Sequence, residues 1–432
     1  MFVFRDSVPP AFQMIKRGGP MSLKSFSAVI MSIAAFLVYS PAAAETSLNI
    51  MLKPYLAKYG LPALAAAVVK NGNTVASGAS GVRRSGEDVV VRTGDRFHIG
   101  SDTKAFTALL AGMLVEQGNL KWTTTVADVF PELKDRMDPR LRRATLEQLL
   151  SHTSGIAPDN EEFTRLLGRS YEQQDGGNLD ELRYWLVKAW AGQPPASEPG
   201  AKFAYSNMGY TLAGAMIERR AAMTWEELMF KKIFQPLGLR SAGLGPQSSL
   251  GKTDAAVGHK IVKGKPKPML AGPYGDIPPV IGPAGIAHMS VLDFAKWAGW
   301  NAGEGKRGPH IVKPETLKKL HTPVVSMPAK KSAPGTPSQG RYGLGWGEVH
   351  PNWAPHPVLY HGGSNGMNLA KIWVDPKEDF AIVIMTNIGT EKADEGLEAL
   401  ASALYSRFGK KHSPGEGLES GRESPDSQSA RE

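Results

Sequence analysis

The sequence predicts a mixed α and β fold. Both ends of the chain build one sheet-bearing domain, and a mostly helical domain is inserted between them. Three observations carry this reading. Leu64–Val69 and Thr74–Ser77 flank Asn71-Gly72-Asn73, a turn sequence suited to a hairpin. Strand-like patterns return after Gly305, at Tyr342–Glu348, Val358–His361, Asn368–Val374 and Phe380–Thr386. Between about 120 and 305 the chain shows helical patches separated by Pro- and Gly-rich stretches. The expected boundaries are 1–44 for an N-terminal extension, 45–119 plus 306–408 for the sheet domain, 120–305 for the helical domain and 409–432 for a tail. With 432 residues the chain is long enough for two or three domains, and it contains no internal repeat.

Residues 21–44 read as a secretory signal peptide. Lys24, with Lys16 and Arg17, supplies a positive region, and Ala28–Tyr39 is an apolar run interrupted only by Ser32. Pro41-Ala42-Ala43-Ala44 follows, so cleavage is expected after Ala44 and the product is expected to be secreted or periplasmic. As a helix the apolar run would extend only about 18 Å, short of a ~30 Å hydrocarbon core, so no stable membrane span is expected once the signal is removed. Met21 or Met14 begins a better-formed signal than Met1.

The folded region opens with a helix near Ile50–Tyr59, closed by Gly60. After the hairpin, Arg96–Ile99 is a short extended stretch. From Asp102 the pattern is helical to about Gln117, with Gly118 in the stop position. The central patches are Thr145–His152, Leu179–Ala191, Met208–Arg219, Trp225–Phe234 and Val291–Ala302. Asp375–Asp379 makes the turn between the last two strands, and Ala393–Arg407 is a terminal helix. Residues 409–432 are polar and rich in Gly, Ser and Glu, a composition expected to stay disordered.

Composition narrows the function. Apolar residues are 42% and charged residues 21%, which excludes a wholly disordered chain and a polytopic membrane protein. The chain has no cysteine, hence no disulfide, thiolate metal site, Cys nucleophile or lipoprotein anchor. Its ten histidines show no H-E-x-x-H motif or close pair at ligand spacing, so neither a metal nor a cofactor is expected. The formal net charge is +9, of which +3 falls in residues 1–44. No basic stripe carries interleaved aromatics, so nucleic acid is not an expected partner. A mildly basic surface suits contact with an anionic cell envelope. Lys260, Lys263, Lys265 and Lys267 read as a solvated loop, with anionic-polymer contact as the lesser alternative.

The chemistry centres on Gly100-Ser101-Asp102-Thr103-Lys104. Ala105, Phe106, Leu109, Leu110, Met113 and Leu114 make the following helix strongly apolar, hence buried. Ser101 then sits at the helix N-terminus with Lys104 one turn on, on the same face. A serine hydroxyl needs a base to act as nucleophile. The positive helix end and burial both disfavour an ammonium, so Lys104 can be neutral and take the Ser101 proton. Free N–H groups at the helix start can hold an oxyanion. S-x-x-K alone is weak evidence, because about one or two chance matches are expected at this length. Ser249-Leu250-Gly251-Lys252 is such a match, in a Gly/Ser loop with no apolar helix after it. Two further elements support Ser101. Tyr205-Ser206-Asn207 offers a phenol for proton relay and an amide for a substrate carbonyl. His361-Gly362-Gly363 ends an apolar strand, where glycines let a substrate backbone lie against the edge.

In this order the three elements resemble the motifs of the penicillin-recognising serine hydrolases, the superfamily of class C β-lactamases, D-alanyl-D-alanine carboxypeptidases, D-aminopeptidases and related esterases. Phe97–Ser101, Leu149–Gly155, Pro236–Leu239 and Tyr342–Trp346 agree as well, and the resemblance runs from about Leu52 to Phe408. It implies an α+β, β-lactamase-like fold: an antiparallel sheet flanked by helices, with a mostly helical domain and the site between them. It also implies roles. Ser101 is the acyl-enzyme nucleophile, Lys104 and Tyr205 move protons, Asn207 orients substrate, and the backbone N–H groups of Ser101 and Ser364 form the oxyanion hole. His361, Gly362 and Gly363 face the substrate. One departure bears on specificity. The β-lactamases of this type carry Lys-Thr/Ser-Gly where this chain has His361-Gly362-Gly363. A cation becomes a group mostly neutral near pH 7, and a hydroxyl is lost. Weaker carboxylate recognition follows, which favours an esterase or a D-amino-acid-type peptidase over a β-lactamase or D-alanyl-D-alanine carboxypeptidase. A non-catalytic scaffold is a further alternative, against which the intact Ser101, Lys104 and Tyr205 set argues. The expected partner is a small-molecule or peptide substrate.

Other patterns are weaker. Gly362-Gly363-Ser364-Asn365-Gly366 matches the G-x-S-x-G elbow, but a strand pattern follows the serine where that elbow needs a helix. Gly245 to Lys252-Thr253 has the wrong spacing for a phosphate loop. His152 reads as a structural hydrogen-bonding residue beside the site and His98 as a packed core residue. Trp346 and Tyr342 read as core or pocket wall, and Asp102 and Thr103 as helix caps.

Overall fold

The Asn71-Gly72 turn starts the sheet. Asn71 (φ 52°) and Gly72 (φ 75°) both take left-handed backbone, as a two-residue hairpin loop requires. The computed structural model describes residues 45–173, 177–269, 275–328 and 340–409. In chain order its strands and principal helices begin with β1 (Thr46–Ser47), α1 (Asn49–Tyr59), β2 (Ala63–Lys70), β3 (Asn73–Gly81), β4 (Arg96–His98) and α2 (Thr103–Glu116). The central stretch holds α3 (Leu146–Leu150), α4 (Leu179–Trp190), α5 (Asn207–Ala221), β5 (Gly243–Leu244), β6 (His259–Val262), β7 (Lys265–Pro268), β8 (Ala287–Ser290) and α6 (Val291–Ala302). The chain ends with β9 (Val325–Met327), β10 (Gly340–Tyr342), β11 (Gly347–Val349), β12 (Val358–Ser364), β13 (Leu369–Asp375), β14 (Phe380–Thr386) and α7 (Glu391–Phe408).

The main sheet runs β1-β3-β2-β14-β13-β12-β11-β10-β9, antiparallel except for β1 beside β3. Strands from both chain ends therefore meet at β2–β14, as read from the sequence. Both faces are covered, so the central strands are buried along their whole length. On one face Leu64, Val68, Ile382, Ile384 and Trp373 pack with Leu52 of α1 and Leu397, Leu400 and Leu404 of α7. On the other, Ala65, Ala67, Ile372, Val374 and Val383 join Phe106 and Leu110 of α2 and Phe294 and Trp297 of α6. Helix α6 therefore lies on the sheet, although the sequence placed it in the central segment. Among the described residues no helix is long and apolar enough to cross a membrane.

Three local readings are corrected, and the extended stretch read at Arg96–Ile99 is found as a strand outside the main sheet. The single strand expected over Tyr342–Glu348 is two antiparallel strands, β10 and β11, joined by a turn at Gly343–Trp346. Gly345 takes φ 78° there and lies against Ala105 and the Lys104 carbonyl, where a side chain would collide with α2. His361-Gly362-Gly363 does not end its strand but lies inside β12, which runs on to Ser364. β4 joins β8 and β5 in a separate three-stranded sheet. The lysine-rich loop is a hairpin, β6–β7. The segment expected to be a signal peptide, residues 21–44, and residues 410–432 lie outside the described residues.

Ile384 is fully buried between α1, α7 and the sheet, whereas Ile50 is 82% exposed. Ile384→Ala is expected to lower unfolding stability by about 2–5 kcal/mol in urea titrations, and Ile50→Ala to change it by about 0.5 kcal/mol or less.

Candidate active site

The strand β4 delivers the chain to Ser101 through a tight turn. Gly100 takes φ 51°, and Gly100–Asp102 form one 3₁₀ turn before α2. The Gly100 N–H donates to His98 Nδ1 at 3.0 Å. The Thr103 hydroxyl donates to the Gly100 carbonyl at 2.6 Å and accepts from the Ala287 N–H at 3.1 Å. Ser101 is thereby held half-buried at the head of a buried helix.

Lys104 lies wholly below the surface. Its Nζ is 3.1 Å from Ser101 Oγ, 2.8 Å from Asn207 Oδ1 and 2.7 Å from the Ala284 carbonyl. Burial pushes its pKa down to about 7, against the upward pull of Asp159 and Asp102. The three contacts suit a neutral amine, which has two N–H donors for the two carbonyl oxygens and one lone pair for the Ser101 proton. The turn that leads to Ala284 is anchored at Val280. Arg183, fully buried on α4, donates to the Val280 carbonyl at 3.1 Å and is paired with Glu218 and Glu226.

Tyr205 and Asn207 stand at the start of α5. Ser206 caps that helix by accepting from the Gly209 N–H at 3.2 Å. The Tyr205 ring is partly open, but its hydroxyl is covered. Burial raises the phenol pKa far above its ordinary value, which the nearby Ser101 hydroxyl only partly offsets. Tyr205 is therefore a phenol, able to donate a proton and not to serve as a phenolate base. No hydrogen bond of normal geometry yet ties its hydroxyl to a partner among the described residues. His152, at φ 59°, accepts from the Ser206 N–H at 3.1 Å and packs 4.2 Å from the Tyr205 ring, the supporting role expected of it.

Close backbone approach brings the third motif to Ser101. A side chain on Gly363 would overlap the Ile99 carbonyl and the Ser101 N–H, and one on Gly100 would overlap the Ser364 N–H. Glycine at both positions sets the Ser101 and Ser364 turns face to face, as an oxyanion hole between their N–H groups needs. β11 pairs with β12 only as far as Tyr360, so the 361–364 stretch keeps one unpaired edge within the sheet. The Ser364 hydroxyl donates to the Asn368 carbonyl at 2.7 Å and leads into strand β13, which is not the helix a nucleophile elbow requires.

His361 is placed differently from the sequence expectation. It is fully buried, with Nε2 3.0 Å from the Tyr342 hydroxyl and Nδ1 3.0 Å from the Gly362 carbonyl. Burial, and then Lys104, lower its pKa to about 3, so the ring is neutral. Both nitrogens are engaged inside the protein, and neither is offered to a substrate. Tyr342 is thus a buried wall with a specific partner, and Trp346 is core. Asp102 is also corrected. It occupies the N-cap position of α2 without a side-chain cap bond. Its buried carboxyl instead lies 3.5 Å from His361 Nδ1, and burial holds its pKa well above the carboxylate range.

Two carboxylates escaped the sequence reading. Asp159, exposed at the mouth, accepts from Asn207 Nδ2 at 2.6 Å and from the Asn207 N–H at 3.3 Å. It fixes the amide so that its oxygen meets Lys104. Its signal was a carboxylate just beyond the recognised Leu149–Gly155 segment. Asp276 lies 3.0 Å from His98 Nε2 and accepts from Asn365 Nδ2 at 3.1 Å, so it ties the strand before Ser101 to the loop after β12. His98 is therefore buried, as expected, and also partnered. Among the described residues no three His, Asp or Glu side chains converge as a metal site. Ser249 and Lys252 lie apart from all this, in a loop where the Ser249 hydroxyl donates to Asp254 at 2.7 Å.

A family model described as Beta-lactamase matches residues 48–406 of the chain. The chain belongs to the beta-lactamase family. Penicillin-binding protein 4 of Amycolatopsis lactamdurans is 28% identical over 313 residues, which are 72% of this chain and 77% of that protein. Several other curated relatives are longer, and this chain spans 64–66% of their length. The octameric penicillin-binding protein homologue of Pyrococcus abyssi superposes with a TM-score of 0.66 at 25% identity, covering 82% of this chain and 76% of that one. The D-amino acid amidase of Ochrobactrum anthropi shares the fold, with a TM-score of 0.65 at 19% identity over 83% of this chain and 98% of its own. The family establishes the α+β, β-lactamase-like fold and places the chain among the serine hydrolases.

If the neutral amine is the base, kcat/KM for a simple ester rises through about pH 7 and then levels off. Lys104→Ala is expected to cut the plateau by about 10²–10⁴-fold. Because Asp159 raises the Lys104 pKa, Asp159→Asn should move the midpoint to lower pH, as read from the full pH profile.

Proposed function

We propose that this protein is a secreted or periplasmic hydrolase that cleaves an ester or amide bond through an acyl-enzyme on Ser101. The observation that carries this reading is the 3.1 Å contact between Ser101 Oγ and the fully buried Nζ of Lys104. Ser101 Oγ attacks the substrate carbonyl while its proton passes to Lys104. The carbonyl oxygen gains negative charge between the N–H groups of Ser101 and Ser364. On collapse, the carbon–oxygen or carbon–nitrogen bond breaks, and the leaving group takes a proton through the Tyr205 phenol. Water then attacks the acyl-enzyme, its proton goes to the amine, and Ser101 is regenerated. Asn207 keeps its second amide N–H for the substrate, since Asp159 takes one.

The surroundings favour an acyl group without a carboxylate beside the scissile bond. Lys104 is the only cation in hydrogen-bond or ring contact with Ser101, Tyr205 or Asn207 among the described residues, and it titrates near 7. His361 is neutral and turned inward, and Asp159 adds negative charge at the mouth. A neutral ester, a neutral amide or an amine-bearing amino acid amide meets this field better than a β-lactam or a peptide C-terminus. The name of the Amycolatopsis lactamdurans relative supports a second reading, in which the site accepts penicillin. Export rests on the N-terminal sequence pattern, and N-terminal sequencing of the mature protein should begin at Glu45.

The two readings separate in one experiment. Aryl esters and D-amino acid amides should be turned over, with kcat/KM at least ~10²-fold above that for a penicillin. Ser101→Ala should abolish turnover and fluorophosphonate labelling, while Ser364→Ala should keep much of both. A penicillin adduct on Ser101, seen by intact mass together with rapid ring opening, would favour the second reading. A folded protein that neither labels nor turns over would be a scaffold.

A further inference from the structure

The hairpin β6–β7 takes no part in the chemistry, yet its residues are unusual. Register pairs Lys260 with Lys267 and Val262 with Lys265, so these four side chains share one face. The turn between the strands is Lys263-Gly264, with φ 49° and 75°. Lysine occupies a left-handed turn position where Asn, Asp or Gly is the usual choice. Lys260, Lys263, Lys265 and Lys267 are all exposed, and none has a carboxylate partner among the described residues. Residues 255–275 contain no Asp or Glu. Like charges directly across a ladder repel, so Lys260 opposite Lys267 costs stability with no compensating carboxylate contact among the described residues. The hairpin also exposes two β-branched side chains near its tip, Val262 (46%) on the lysine face and Ile261 (49%) on the opposite face, so an end-on approach brings both to a surface.

The base of the hairpin is fixed. The His259 N–H donates to the Met367 carbonyl at 3.0 Å and the Asn387 carbonyl at 2.9 Å, and the Met269 N–H donates to the Gly258 carbonyl at 2.8 Å. His259 Nε2 accepts from the Ser85 N–H at 3.0 Å. The anchor at Met367 belongs to the loop that follows Ser364, so the hairpin stands beside the active site on a rigid footing.

We propose that the β6–β7 hairpin docks the enzyme on the surface of an anionic phospholipid bilayer. The lysines supply the attraction to lipid phosphates, and Ile261 and Val262 supply apolar contact at the headgroup boundary. Charge alone would also suit an anionic polymer, but such a partner has no use for two exposed β-branched side chains at a cationic tip. The mildly basic chain is consistent with this surface, which would hold the active-site mouth close to the lipid.

The test is co-sedimentation of the purified protein with vesicles of phosphatidylcholine containing about 30% phosphatidylglycerol, against phosphatidylcholine alone. The mature form beginning at Glu45 is used for every variant, so the N-terminal apolar run is absent and differences between variants read the hairpin. The wild type should pellet with the anionic vesicles and not with the neutral ones. K260Q/K263Q/K265Q/K267Q should weaken binding by at least ~10-fold, since each lysine near such a surface is worth roughly fivefold. I261S/V262S should weaken it several-fold at a fixed salt concentration. Hydrolysis of a soluble ester should be unchanged in both variants, which checks folding without entering the binding readout. Equal binding to neutral vesicles, or no loss in the lysine variant, would overturn the proposal. So would full binding by I261S/V262S together with complete displacement by soluble polyphosphate, which would make the hairpin a polyanion site.

Discussion

A single buried nitrogen joins the parts of this site. Lys104 Nζ meets a hydroxyl from its own turn, an amide oxygen from α5 and the Ala284 carbonyl. Isolated burial of an ammonium is costly, and the protein meets that cost by letting the group titrate near 7. The polar contacts satisfy the neutral form, so the arrangement that makes Lys104 tolerable in the core also leaves it able to accept a proton. The support extends outward through Asp159, which orients the Asn207 amide, and through Arg183, which holds the segment bearing Ala284. Loss of Asp159 would act on the amine directly, whereas loss of Arg183 would also strip Glu218 and Glu226 of their buried partner.

A second constraint is steric. The Ser101 turn and the end of β12 lie so close that neither Gly100 nor Gly363 can carry a Cβ where it stands. Gly345 makes the same kind of approach on the other side of α2. These contacts fix the height of Ser101 relative to the sheet edge. The sheet's ordinary needs explain the rest of β12: pairing with β11 up to Tyr360, then an edge left open beside Ser101.

Much of this was legible in the sequence because it is local. The Asn71-Gly72 turn, the apolar run after Ser101, and the strands Leu369–Asp375 and Phe380–Thr386 depend on neighbours a few residues away. Ser101 and Lys104 are one helical turn apart, so their spacing alone puts them on one face. What was missed depends on distant partners. Asp102 looked like a cap because caps are a matter of position, but its carboxyl is turned toward His361, which only the packing of β12 on the 3₁₀ turn brings near. The break at Gly343–Trp346 was hidden in an apolar stretch whose turn exists to meet α2. Asp159 and Asp276 are single carboxylates in loops; the first is marked only by following the Leu149–Gly155 segment, and the second by nothing in its own segment. Their roles arise from Asn207, His98 and Asn365, residues far along the chain.

The histidine in the third motif can be understood through the charge of Lys104. A permanent cation at position 361, buried beside Lys104, would oppose a second positive charge and push the Lys104 pKa lower still. The chain instead places a neutral imidazole there, locked between the Tyr342 hydroxyl and the Gly362 carbonyl. Asp102 and Asp159 pull the Lys104 pKa upward, so the base settles near neutrality from a balance of burial against two carboxyl groups. The same choice removes a fixed positive charge that could bind a substrate carboxylate. Base strength and substrate charge are therefore not independent features of this site. Without a third-motif cation Lys104 stays in the useful range, and position 361 presents no fixed positive charge.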